Sequence, residues 1–120
     1  MKSTNTSNFN KQAGYEAEWL ACEYLSNQWY RIIERNYTIR WWELDAIVKK
    51  WDNLTFIEVK LVNHIIDLHD YITPTKLKHL HKTIDFYLRE HPHDWDIQLD
   101  VIFVRYGQII DHIKNVSGGR

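Results

Sequence analysis

The sequence predicts a single α/β domain, a mixed β-sheet flanked by helices in the order α-β-β-β-α-β, with room for one more strand. Three observations carry this. Segments 11–28 and 73–90 repeat apolar residues at helical spacing, and four runs rich in Ile, Val, Leu, Tyr and Phe lie between and after them. Two of those runs flank the polar dipeptide Asp52-Asn53, as the arms of a hairpin do. Strand runs interleaved with helices pack as helices on the faces of a sheet.

Length and composition set the outer bounds. A chain of 120 residues buries roughly two thirds of its unfolded surface around one core. One domain is therefore expected over residues 11–116, with a polar flexible tail over 1–10 and a frayed end at 117–120. The lone cysteine, Cys22, excludes an intramolecular disulfide and a multi-cysteine zinc site, and it points to a reducing cytoplasm. The opening MKSTNTSNFN lacks the apolar core of a signal peptide, and no run of about 18 apolar residues occurs; neither secretion nor a membrane span is expected. Fifteen Lys and Arg against 16 Asp and Glu give a formal net charge of −1. Any face that binds nucleic acid must then be local.

Taken in order, the first helix has Ala17, Leu20, Ala21, Tyr24 and Leu25 on one apolar face, with Cys22 as a buried thiol. At ~100° per residue Glu18 falls beside Leu25 at the edge of that face, while Glu16 and Glu23 lie well away from it. Residues 29–37 form a first strand with apolar residues on both faces. Arg40, Trp41 and Trp42 form a loop into the second strand. The Trp42 indole is offered either to a nucleobase, where stacking contributes about 1 to 3 kcal/mol, or to a gap in the core.

The hairpin strands run from about Leu44 to Lys50 and from Leu54 to Leu61. Alternation sets Glu43, Asp45 and Ile47 on one face and Leu44, Ala46 and Val48 on the other; Phe56, Glu58 and Lys60 share a face on the second strand. An even loop places Asp45 on the side of Glu58 and Lys60, and an odd loop separates them. Two carboxylates and an ammonium on an apolar sheet cost desolvation and repulsion unless a cation or close pairing offsets it. Two readings stand at this point. One is a site for a hard divalent ion such as Mg²⁺ on oxygen ligands; the other is a solvated strand face with a cross-strand ion pair.

The loop at 63–73 carries His64, Asp67, His69 and Asp70 in a spacing that matches no zinc pattern, so they read as solvated. Thr73-Pro74 starts the second helix, with Thr73 as the cap and proline in the first turn. Leu77, Leu80, Ile84 and Tyr87 or Leu88 face inward. Lys76, Lys78 and Lys82 gather with His79, His81 and Arg89 as a basic patch, which serves phosphate binding or is simply solvated. His91-Pro92-His93-Asp94 ends the helix. Residues 97–106 make a further strand, Gly107 a turn, and Gln108–Ile113 a short last strand. Asp100 reads as a structural hydrogen-bonding residue.

Trp42-Glu43-Leu44-Asp45-Ala46-Ile47 followed by Phe56-Ile57-Glu58-Val59-Lys60 resembles the motif core of the YraN-type family, small bacterial proteins of the restriction-endonuclease-like group that includes Holliday-junction resolvases. In that family a Gly-Glu-Ile-Asp-Leu-Ile strand precedes a Phe-Val-Glu-Val-Lys strand. Gly14, Glu18 and Ala21 follow the spacing of its first helix, Asn36 matches an asparagine, Lys76 a lysine and Asp100 an aspartate. Ala17 and Trp42 replace glycines, Gln98 an arginine, and Val62 stands where an arginine is frequent. The likeness spans about Gly14 to Val104.

The resemblance implies a restriction-endonuclease-like core and Mg²⁺- or Mn²⁺-dependent hydrolysis of phosphodiester bonds in DNA, selected by structure, such as a branched or Holliday-junction-like form. Asp45, Glu58 and the Val59 carbonyl would ligate the metal with Glu18 as a further acid. Lys60 would act on the attacking water, and Lys76, Lys78, Lys82 and Trp42 would meet the nucleic acid. A resolvase-like enzyme cuts two symmetric strands, which implies a homodimer. The rival expectation is a non-catalytic module, binding nucleic acid or protein, that retains the nuclease fold.

Overall fold

A computed structural model describes the backbone of residues 2–40, 42–63 and 67–116, and side chains from residue 11 without that of residue 68. The elements run α1 (Lys2–Ser26), β1 (Arg31–Ile39), β2 (Trp42–Lys50), β3 (Asn53–Leu61), α2 (Leu68–Tyr71), α3 (Pro74–Glu90), β4 (Asp96–Arg105) and β5 (Gln108–Ile113). The expected α/β class and element order hold, with α2 as an addition inside the segment read as a loop. α1 begins ahead of Lys11, so helical backbone runs through the stretch expected as a tail. The expectations for His64 and for residues 117–120 lie outside the described residues.

All five strands form one sheet in the order β1-β2-β3-β4-β5. β1, β2 and β3 meander antiparallel, β3 and β4 pair in parallel, and β5 returns antiparallel to β4. The parallel pair requires a crossover, supplied by α2 and α3. α1 covers one face: Ala17, Ala21, Cys22 and Leu25 pack on Ala46, Val48, Ile57, Ile102 and Val104. α3 covers the other: Leu80, Ile84 and Tyr87 pack on Leu44, Ile47, Leu54, Phe56 and Leu99. A smaller cluster of Val62, Val101 and Phe103 closes over α2.

Local chemistry explains the boundaries. Thr73 caps α3 by accepting the Lys76 amide N–H at 3.1 Å, and Pro74 takes the first helical position, where its missing N–H has no cost. The β4–β5 turn is Tyr106-Gly107, both with positive φ (50° and 71°), the twist a two-residue hairpin needs. The β2–β3 turn is Trp51-Asp52, one residue earlier than the expected Asp52-Asn53, because Asn53 opens β3 opposite Lys50. The loop is therefore even, the alternative that sets Asp45 on the side of Glu58. Trp42, expected in a loop, begins β2, and its indole stacks on His79 of α3 with ring centroids 3.8 Å apart.

One expectation about side-chain direction is corrected. Leu44 and Ile47 both pack under α3, whereas Ala46 and Val48 pack under α1. Strict alternation therefore breaks between Leu44 and Ala46. β1 breaks with it: Asn36 adopts φ 53°, a left-handed conformation that asparagine tolerates better than most residues. The register holds on either side, Arg35 opposite Ala46 and Tyr37 opposite Leu44. This kink is what positions the acids.

Candidate metal and phosphate site

The β2–β3 ladder is paired from Lys50–Asn53 up to Ala46–Ile57. Beyond it Asp45 reaches across with its side chain: Oδ2 accepts the Val59 N–H at 2.6 Å. A carboxylate thus takes the place of a backbone carbonyl in the ladder. The sheet opens there, and Asp45 sits where its two faces meet.

On the α1 side of this opening, Glu18 and Glu43 join Asp45. A carboxylate oxygen from each of the three lies within 4.8 Å of the others, a grouping that could bind a metal ion. Asn36 Nδ2 donates to Glu18 Oε1 at 2.9 Å, and Thr38 Oγ1 donates to Glu43 Oε2 at 3.1 Å. β1 therefore orients both glutamates from behind, as the outer partners of metal ligands do.

On the α3 side lies Glu58, buried at 7% exposure. Its Oε2 accepts the Tyr71 hydroxyl at 3.2 Å and pairs with Lys76 Nζ at 3.3 Å. Tyr71 is also a platform for cations: Lys76 Nζ stands 4.5 Å and Lys60 Nζ 5.1 Å from its ring centroid. The two lysines expected to act on water and phosphate thus approach the same ring.

Burial and the negative charge of Glu58 push the Asp45 carboxyl up from its ordinary 3.8 to about 9, against the lowering effect of the Val59 N–H. Burial also raises Glu58, opposed by Lys76. Burial and Glu58 raise the Tyr71 phenol, so it stays a donor at neutral pH. The physical content is that Asp45 lacks enough positive charge around it. The Glu18, Glu43 and Asp45 carboxylates offer hard oxygens, a donor set that would suit a cation such as Mg²⁺ or Mn²⁺ better than a thiolate-seeking metal.

Asp45 meets Glu18 on the α1 side and Glu58 on the α3 side, but the grouping that could hold a metal takes in Glu43 and leaves out Glu58, which stands with Lys76 at Tyr71, where Lys60 also approaches. Lys78 and Lys82 lie exposed on α3, and Lys82 shares a surface hollow with Ile39, Arg40, Asp85, Phe86 and Arg89. Trp42 is half-buried at the start of β2, its indole stacked on the His79 ring. Glu43 and Tyr71 were missed. Glu43 had a signal, its i, i+2 spacing from Asp45 on one strand; Tyr71 had none, because α2 was not read from its four residues. Asp100 is structural as expected: it is fully buried and accepts from Gln98 Nε2, His112 Nε2 and the Asn115 N–H at 2.8 to 2.9 Å.

Among known proteins, the family described as "Uncharacterised protein family UPF0102" matches residues 17–104. A UPF0102 protein of Campylobacter fetus subsp. fetus is 34% identical over 104 residues, covering 87% of this chain and 92% of the relative. UPF0102 proteins of Campylobacter hominis and Campylobacter lari are each 36% identical with the same coverage. The matched span runs from the residue before Glu18 to the end of the β4 core, and so contains every acid of the site.

Proposed function

The chain belongs to the UPF0102 family, in keeping with its YraN-type motifs, and we propose that it is a Mg²⁺- or Mn²⁺-dependent endonuclease that hydrolyses phosphodiester bonds in DNA of particular structure, such as branched or Holliday-junction-like forms. One observation carries this reading. Glu18, Glu43 and Asp45 converge within 4.8 Å at a break in the sheet, where burial and Glu58 leave Asp45 short of positive charge.

Asp45, Glu58 and Glu18 would hold the ion, with Glu43 and the Val59 carbonyl as further oxygens. When bound, the ion polarises the scissile phosphate and acidifies a water. The chain's own groups do the rest. Asn36 and Thr38 keep Glu18 and Glu43 aimed at the opening. Lys60 orients the attacking water and stabilises charge that develops on phosphate oxygens. Lys76, already in contact with Glu58, meets a phosphate next to the ion, and Lys78 and Lys82 extend the contact along α3. Structure-specific cutting of two symmetric strands calls for a homodimer.

A second reading, nucleic-acid binding without cleavage, is favoured by the engagement of Glu58 with both Tyr71 and Lys76, which competes with a metal for the same oxygen. The two separate on a labelled panel of four-way junction, flap, single strand and linear duplex with Mg²⁺ or Mn²⁺. Wild type is expected to cut at least one substrate, and an Asp45→Ala, Glu58→Ala double variant none. Folded wild-type protein that binds but cuts nothing would establish the second reading.

A further inference from the structure

A second surface, at the turn end of β2 and β3, joins large aromatic rings to cations. Trp29, Arg31, Lys49, Lys50 and Trp51 line a hollow of about 610 Å³, with three cations and no carboxylate in its lining. Trp29 and Trp51 are 85% and 84% exposed, among the most exposed large apolar side chains of the described residues. Beside them Lys49 Nζ stands 4.2 Å from the Trp95 ring and Lys50 Nζ 4.9 Å from that of Tyr30.

The backbone shows that these indoles are not incidental. Trp29 and Trp51 have φ of 75° and 55°, left-handed positions that asparagine or glycine fills at less cost than a bulky residue does. Two strained turn positions therefore each spend stability on an indole that the core does not use. Strain of this kind gathers at functional surfaces.

We infer that this hollow is a platform for single-stranded nucleic acid, with bases stacked on Trp29 and Trp51 and phosphates met by Arg31, Lys49 and Lys50. Aromatic faces interleaved with cations complement a flexible polyanion with exposed bases, and they hold it without reading its sequence. Along β2, Lys49 and Lys50 lie four and five residues beyond Asp45, roughly 13 to 17 Å at ~3.3 Å per residue. A stacked duplex strand covers that distance in about four or five nucleotides at ~3.4 Å each, and an extended single strand in fewer. The inference rests on the nuclease reading only in making this the arm of a substrate; it would select DNA with an unpaired strand beside the cut.

The test uses a Trp29→Asn, Trp51→Asn double variant, because asparagine relieves the left-handed strain and keeps the fold. Anisotropy of labelled oligothymidylate and of a blunt duplex is measured in EDTA, so that cleavage plays no part. The double variant is expected to keep or raise its melting temperature, to lose at least about tenfold in single-strand affinity, and to bind the duplex within about twofold of wild type. Separately, Lys49→Glu, Lys50→Glu is expected to lower single-strand affinity and flatten its salt dependence. Equal single-strand affinity in wild type and the Trp double variant, or no single-strand binding by wild type, overturns the platform. So does a concentration-dependent dimer that the Trp substitutions dissolve while single-strand binding is unchanged. Failure of the nuclease reading looks different: platform-dependent binding would persist with no cleavage of any substrate.

Discussion

Two aspartates lie on strands either side of β3, and their surroundings differ. Asp100 is fully buried, yet every donor around it is aimed at its oxygens: the Gln98 amide, the His112 ring and the Asn115 N–H, with Tyr24 steadying the far nitrogen of His112 at 2.9 Å. Asp45 is less buried but receives one backbone N–H and faces Glu58, Glu18 and Glu43. A buried acid that is fully supplied with donors holds a fold together. One surrounded by other acids could take up a cation.

The contrast can be broken by mutation. The largest effect is expected on cleavage: Asp45→Ala or Glu58→Ala should slow single-turnover hydrolysis at least ~10³-fold, with a folded protein by circular dichroism at the assay temperature. Next is Asp100→Ala, which strands three donors in the core and should cost about 2 to 4 kcal/mol in urea unfolding. An Asp100→Ala protein as stable as wild type would erase the distinction.

Metal should separate the two aspartates from the other side. At a hundredfold excess over its dissociation constant, Mg²⁺ is expected to stabilise wild type by ~2.7 kcal/mol, read as a rise in melting temperature, and to leave Asp45→Ala unmoved. Asn36→Gly keeps the left-handed backbone and removes the hold on Glu18. Metal affinity, followed by calorimetry, should weaken about 10- to 100-fold while metal-free stability changes little.

The last effect is in pH. The Asp45 carboxyl is raised when folded, to about 9, above its unfolded value near ~3.9. The folded state then binds the extra proton, so this group's contribution is complete below pH ~4 and is lost as pH rises towards about 9. In EDTA, Asp45→Asn should therefore gain steadily on wild type between pH 5 and pH 8, read as a widening gap in melting temperature. An unchanged gap would mean that Asp45 is not short of positive charge.

Much of this was legible in the chain itself. The inner faces of α1 and α3, the Thr73 cap and the limits of β5 follow from apolar spacing and local hydrogen bonding, which short windows of sequence contain. Loop parity leaves open whether Asp45 and Glu58 share a side, and the two-residue turn Trp51-Asp52 decides it as even. What escaped depends on tertiary geometry. The face switch at Asp45 rests on the left-handed Asn36 in a neighbouring strand, and Glu43 joins Glu18 only because of it. Tyr71 sits in a four-residue helix too short to show a period.

The Asn36 kink has one more consequence. β1 is a margin of the sheet, and a bare margin invites other extended chains to zip on and grow into aggregates. Its ladder shifts register between Ile32 and Glu34 and twists again at Asn36, both within Arg31–Ile39. A visiting chain would have to copy both irregularities to pair along it. The bend that seats the acids thus also protects solubility at high concentration, and straightening it with Asn36→Val should cloud the solution before it unfolds the protein.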